Sequence, residues 1–398
     1  MKRVRFGMLL LVVALAIQIT WYVVLMVSYV RTPGKLEGAD FLAFYSVGRV
    51  ARDYGLNCVY DLDLEAAAQA RTAGVPLGSQ QILPPNHPPF LYPLLGVLAG
   101  LDYRAAYFGY ALLLLVIIVA GLPALYRVLL QNGWSQTQAW LELVGVLLFE
   151  PLFMSVLKGQ DSALLLLGGL LWFSGLIRNN DRLAGLGLSL ALIRPQVALM
   201  LAVPFLFRRR KVFGWFCAGA AALGVYSYLQ IGWTGALDYL HILTISAGGE
   251  GYGMAEMAMF NFTGLLLRLA PRLDLGLLHT IGWGLFATAL IGLCVLWGLS
   301  KSIGLRHIAL TVTLSLFVAP HLHYHDLALL AIPLVGLGIA GVKVGRLTIS
   351  RAAVLPVLTS VVLLLSEFWD PVRFSIPYLL MAVLPALTWL MEKRYETG

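Results

Sequence analysis

Residues 6–30, FGMLLLVVALAIQITWYVVLMVSYV, decide the fold. The run is uncharged and about 25 residues long. At ~1.5 Å per residue, a helix of that length exceeds the ~30 Å hydrocarbon core of a bilayer. It is too long for a signal-peptide core and has no small-residue cleavage site, so it predicts a retained first membrane helix. Lys2, Arg3 and Arg5 before it place the N-terminus in the cytoplasm.

The pattern then repeats. The chain has 398 residues, 60% hydrophobic and only 12% charged, against roughly 45–50% and about 25% in soluble domains. Further apolar runs lie near 90–100, 103–129, 139–157, 162–177, 183–207, 212–232, 276–298, 307–319, 327–342, 352–366 and 374–391. In lipid a backbone must satisfy its own hydrogen bonds, so these runs read as helices. The expectation is an all-α, polytopic transmembrane bundle of about 10–13 membrane helices, some short or broken. No internal repeat divides it, and residues 1–398 read as one domain.

The net charge of +8 comes from basic clusters at the run ends: Arg208–Lys211, Lys301 and Arg306, Lys343 and Arg346, Lys393 and Arg394. Positive-inside topology accounts for them without a nucleic-acid partner. Cys58, Cys217 and Cys294 are scattered, with neither metal spacing nor a disulfide framework.

Residues 31–87 form the longest polar segment, read as an outer loop. Phe41, Phe44, Tyr45, Val47, Val50, Ala51 and Tyr54 recur at helical spacing, and Asp63–Thr72 is a second helical stretch, which predicts two juxtamembrane helices. Pro84, Pro85, Pro88 and Pro89 then hold Asn86 and His87 in extended backbone. In the middle, Arg178 and Arg182 and then Arg208–Lys211 both look cytoplasmic, yet one apolar run separates them. Either it crosses once, or Arg194-Pro195 breaks it into two half-helices that dip in and return; the charge pattern favours the second. After residue 212 the loops alternate: 233–260, with Glu250 and Glu256, is outer, as are 321–326 and 367–373.

Polar groups at membrane depth are costly and mark candidate sites. Gly38-Ala39-Asp40-Phe41-Leu42-Ala43-Phe44-Tyr45 sets an acid at the interface, with Arg49 and Asp53 downstream. Asp40 suits a general base at a lipid head group, or simply a helix cap. Lys158-Gly159-Gln160-Asp161-Ser162 offers a cation and an amide for a phosphate and a sugar hydroxyl; the plain alternative is a helix turn with a snorkelling lysine. Arg194 and Gln196 sit inside an apolar run, where a guanidinium suits a phosphate; a hairpin would instead leave Arg194 at the outer interface. Pro320-His321-Leu322-His323-Tyr324-His325-Asp326 reads as substrate donors, zinc ligands on an extended backbone, or loop histidines. Arg49, Asn86 and His87 complete the candidate substrate-binding set. No second cluster with metal spacing exists, so no metal and no cofactor are assigned. Asn261-Phe262-Thr263 fits a glycosylation sequon but abuts an apolar run and is assigned no glycan.

These landmarks together resemble the GT-C superfamily of integral-membrane glycosyltransferases, most closely glycosyltransferase family 87. The resemblance rests on Ala39-Asp40-Phe41 with Tyr45, Val59-Tyr60-Asp61, Pro88-Pro89-Phe90, Gly159-Gln160, Arg194-Pro195 and His323-Tyr324 with Asp326, across about residues 1–335. Asp161 departs from the neutral residue common in the family. The resemblance implies inverting transfer of a sugar, mannose first among them, from a polyprenyl-phosphate donor. The acceptor would be a glycolipid or glycan at the outer face of the plasma membrane. It makes Asp40 the base, and by residue type Arg194, Lys158 and one of His321, His323 or His325 would stabilise the leaving phosphate. The competing classes are a transporter of an anion or lipid-linked glycan, and a ligase using a pyrophosphate-linked donor. Paired broken helices in two halves, the mark of inverted-repeat carriers, are absent from the sequence.

Overall fold

The computed structural model describes residues 2–32, 34–37, 40–248 and 255–397, and its regular structure there is helical. Ala39 and Glu250 lie outside the described residues. Among the described residues, seven helices are long and apolar enough to cross a membrane, one pair bent by 45° is long and apolar enough only when taken together, and four further apolar helices are shorter. The protein is a polytopic helical bundle.

Helix α1 (Lys2–Arg31) is the quoted first run. Helices α2 (Phe41–Asp53) and α3 (Leu62–Ala73) are the two expected in the first loop. α2 buries Phe41, Phe44, Tyr45, Val47 and Val50 on one face. That face lies on α4 (Tyr92–Leu98) so closely that a Cβ on Gly48 would sit 2.3 Å from the Leu95 carbonyl oxygen. α3 starts where the Asp61 carboxylate accepts from the Asp63 and Leu64 amides, and stops at Gly74 with φ +71°.

α5 (Tyr103–Gln131) spans fully, whereas α6 (Gln136–Leu147) and α7 (Glu150–Lys158) meet at a 45° bend. The bend leaves the Leu148 carbonyl without a helical partner. Gln18 and Tyr22 of α1 supply one, with the Tyr22 hydroxyl donating at 2.9 Å.

α8 (Ser162–Ile177) is followed by α9 (Asp181–Leu190), α10 (Pro195–Ala202) and α11 (Phe205–Arg208). Small residues let α8 and α9 touch: a Cβ on Gly175 would lie 2.4 Å from the Ala184 nitrogen. Arg194 leaves the helical conformation at φ −125°, ψ 83° just before Pro195. Arg209, after α11, then bonds Asp181 at the head of α9 at 2.6 Å. The run from 181 to 209 therefore enters and leaves at the same end, as the charge pattern favoured.

α12 (Arg210–Gly248) kinks at Gly232, whose φ of +64° only glycine tolerates easily. Beyond the kink the chain stays helical, so the expected outer loop 233–260 is helical as far as Gly248. The reason is an amphipathic face: Ile242 is buried, and Tyr239 meets Tyr60 with ring centroids 5.0 Å apart. α13 (Phe262–Leu269), α14 (Leu275–Leu299), α15 (Leu305–Val318), α16 (Ala331–Lys343), α17 (Ile349–Ala352), α18 (Leu355–Ser366) and α19 (Asp370–Thr397) complete the chain. Residues 325–341 are buried without interruption. A segment apolar on every side belongs at a bundle's centre, and this one begins at the histidine cluster.

Candidate functional site

Asp40 stands at the head of α2 in helical geometry, yet its side chain makes no cap bond. The carboxylate forms no hydrogen bond or ion pair with any described residue, and Asp40 is half-buried. Of its two sequence readings, the capping one is not realised. Phe41 beside it enters an aromatic wall, 5.4 Å from Tyr103 and 5.3 Å from Tyr110. It also lies against Gly159: a Cβ there would fall 2.5 Å from the Phe41 Cβ, and the φ of +71° asks for glycine independently. The head of α2 is thereby seated on the turn carrying Lys158, Gln160 and Asp161.

That turn leads to the buried centre of the site. Arg194 pairs with Asp161 (Nη1–Oδ1, 2.9 Å) and with Asp326 (Nε–Oδ1, 3.0 Å). Ser162 donates to the same Asp326 oxygen at 2.7 Å, and Gln160 stands 3.5 Å from Nη2. His87 approaches Asp161 at 3.6 Å. Two carboxylates thus compensate one guanidinium, and both are almost wholly buried. Such a cluster is held by mutual attraction against a desolvation cost of several kcal/mol per ion.

The histidine segment is clamped onto this centre from its backbone. Gln196 donates to the His321 carbonyl at 3.0 Å, Phe260 N–H to the Leu322 carbonyl at 3.0 Å, and the Asn261 amide to the Ala319 and Pro320 carbonyls. The His321, His323 and His325 rings follow one another at 4.7 and 5.8 Å. The chain bends at Pro320 and His321, His323 is extended, and a 3₁₀ turn from Tyr324 to Leu330 carries His325 and Asp326. The extended spacing needed for three zinc ligands is therefore not kept. Among the described residues, no three His, Cys, Asp or Glu side chains converge to hold a metal ion.

Electrostatics separate the remaining roles. Burial lowers the pKa of His321 and His323 below the ordinary imidazole range, and at His323 the nearby Asp40 charge opposes that shift without cancelling it. Both rings are neutral N–H donors at pH 7. Lys158 is half-buried and, among the described residues, has no ion-pair or hydrogen-bond partner. It therefore remains the uncommitted cation of the cluster. A small apolar crevice of about 10 Å³ lies among Leu91, Leu95, Leu114 and Leu164 beside Tyr110 and Asp161.

His87 gives a test through stability. Burial is the main force taking its pKa from 6.5 to about 4, against the attraction of Asp161. The unfolded chain then binds a proton before the folded one as pH falls. This contribution is complete above about pH 6.5 and is lost towards pH 4, by roughly 3 kcal/mol at most. The melting temperature of the purified protein should fall across that window, and less steeply in His87→Gln. Equal slopes would exclude His87 as a contributor.

The structure brings Asp40, His87, Lys158, Gln160, Arg194, Gln196, His321, His323, His325 and Asp326 into one region. Asn86 neighbours it, its side chain unengaged among the described residues. Arg49 lies elsewhere on α2, paired with Asp53 at 3.2 Å and bonded to the Ala99 carbonyl. Arg194 differs most from its expected part, because its fork is committed to Asp161 and Asp326 rather than open to a phosphate. Sequence reasoning missed Asp161 and Ser162 as site members, and also Glu150, which accepts from the Tyr324 hydroxyl. The signal for Asp161 was there: an arginine in an apolar run needs a carboxylate, and this acid already departed from the family's neutral residue.

Comparison with known proteins gives the family. Residues 86–320, more than half the chain, match the model of glycosyltransferase family 87. No curated protein and no solved structure matches the chain. The match holds His87, Lys158, Gln160, Arg194 and Gln196 within its bounds, with Asp40 ahead of it and most of the histidine segment just beyond. The chain belongs to glycosyltransferase family 87, and it is an integral-membrane glycosyltransferase.

Proposed function

We propose that the enzyme is an inverting transferase that takes a sugar, mannose first among them, from a polyprenyl-phosphate donor. It would pass the sugar to a glycolipid or glycan acceptor at the outer face of the plasma membrane, with its N-terminus in the cytoplasm. The observation carrying this is the Asp40 carboxylate, without a side-chain partner among the described residues, beside neutral histidines and a Lys158 that makes no ion pair there.

In the reaction, Asp40 takes the proton of the acceptor hydroxyl as that oxygen bonds to the anomeric carbon. The bond from that carbon to the phosphate oxygen breaks on the opposite face, and the phosphate leaves with the electron pair. Its charge rises from one negative to two. Lys158 meets this growing charge, and His321 and His323 donate N–H bonds without adding charge. Arg194 is a positioning residue in this scheme: it ties the Gln160–Ser162 turn to the histidine segment. Gln160, Asn86 and His87 are available to sugar hydroxyls.

The test is transfer by the purified protein in nanodiscs from polyprenyl-phosphate mannose, glucose and arabinose. Wild type is expected to transfer from at least one, and Lys158→Met to turn over about 10²-fold more slowly, the loss typical when one charge-stabilising donor is removed. A folded wild type that transfers from none of the three would overturn the donor class.

A further inference from the structure

A second cavity, about 280 Å³ in volume, opens between α2 and α3 and is lined by Tyr45, Arg49, Ala68, Arg71, Thr72 and Tyr103. Its charge is unbalanced. Arg49 shares its guanidinium with Asp53, but Arg71 meets no carboxylate among the described residues and only bonds the Ala67 carbonyl of its own helix at 3.4 Å. Glu37 acts on Tyr103 from beside the cavity, but both charged side chains in the lining itself are arginines. The aromatic side is rigid: the Tyr45 and Tyr103 hydroxyls donate to the Leu101 and Leu36 carbonyls at 2.9 Å each, and the rings meet edge to face at 5.0 Å.

The position matters as much as the lining. Tyr45 and Arg49 lie five and nine residues beyond Asp40 on the same helix, roughly 8 and 14 Å along its axis. Tyr103 also touches Phe41, the residue next to Asp40. The cavity thus lies along α2 from Asp40, with the Phe41–Tyr45–Tyr103 rings between them.

We infer that the cavity is an acceptor subsite that recognises an anionic group, a phosphate or carboxylate, carried by the acceptor sugar or by its lipid head group. Calling it an acceptor subsite rests on the transferase reading above; the anion recognition does not. The guanidinium fork of Arg71 pairs with either group through charge-assisted hydrogen bonds, and aromatic walls with a threonine hydroxyl beside them suit a sugar. Because Arg71 is exposed, binding weakens as salt rises.

The experiment measures binding without turnover, on the full chain in phosphatidylcholine nanodiscs at low salt. The soluble probes are inorganic phosphate and glucuronate, with glucose as the neutral control; a separate arm adds phosphatidylglycerol to the discs. Glucuronate or phosphate is expected to bind wild type and to lose about 10-fold or more in affinity in Arg71→Ala. Asp40→Asn, which keeps the cavity, should bind as wild type does. Stabilisation by phosphatidylglycerol that disappears in Arg71→Ala assigns the anion to a lipid head group; a response to the soluble probes alone assigns it to the sugar. Anion binding that is absent, or equal in wild type and Arg71→Ala in both arms, overturns the proposal. Failure of sugar transfer would leave these readings untouched and count against the transferase assignment of donor instead.

Discussion

Asp40→Asn is expected to lower the turnover of sugar transfer by about 10²–10⁴-fold, the range for loss of a general base, with the melting temperature unchanged. The amide matches the carboxylate in shape but cannot accept the proton of the attacking hydroxyl. Stability should hold because the Asp40 side chain neither caps α2 nor bonds to any described residue. Asp40→Glu makes the case sharper. It keeps the basicity but displaces the carboxylate by one methylene, so it should recover only part of the rate. Turnover and thermal unfolding measured on the same preparations decide the matter. Wild-type turnover in Asp40→Asn would take the proton transfer away from this residue.

The second large effect is on stability. Arg194→Met should destabilise the protein by about 3–5 kcal/mol, because it leaves Asp161 and Asp326 buried with their charges uncompensated. Folded proteins hold only about 5–15 kcal/mol in reserve, so this is a large share of the total. Neutralising all three positions, Arg194→Met with Asp161→Asn and Asp326→Asn, should restore part of the loss, since a cluster without charge has none left to strand. Arg194→Lys should fall between, because a single ammonium cannot bridge two carboxylates as the fork does. Denaturation of the four proteins in one detergent tests the ordering. Arg194→Met as stable as wild type would show that the carboxylates find another partner.

Much of the fold was legible because lipid admits few solutions. Once the backbone must bond to itself, each apolar run is a helix, and 162–177 coincides with α8 to the residue. The break at Arg194-Pro195 was readable from two basic clusters that a single crossing would have separated. The helix beyond Gly232 was not. Its glycines and scattered polar residues look like a loop until Tyr239 and Ile242 are seen packed, and for Tyr239 the partner is Tyr60, ahead of α3 and far away in sequence. The site was legible by residue type and only partly by role. Asp40 and the histidines could be picked out by position, but nothing in one sequence says which acid neutralises Arg194. Nor does it reveal that burial holds His321 and His323 uncharged, or that the Asp40 side chain leaves α2 uncapped.

The hairpin from Asp181 to Arg209 also bears on how the protein is made. α9 has 10 residues and rises roughly 15 Å, half of what a lone helix needs to cross the bilayer. Neither half can enter the membrane as an independent segment during synthesis. Each needs a protein wall on which to lean: α8, already made, supplies one for α9, but α12, α15 and the segment from Tyr324 onward emerge later from the ribosome. Arg194 therefore meets Asp161 early and Asp326 only after another 130 or so residues have been translated. The ion cluster closes late in biogenesis, and a chain halted before Asp326 would carry this arginine half-matched, a natural mark for quality control of an unfinished enzyme.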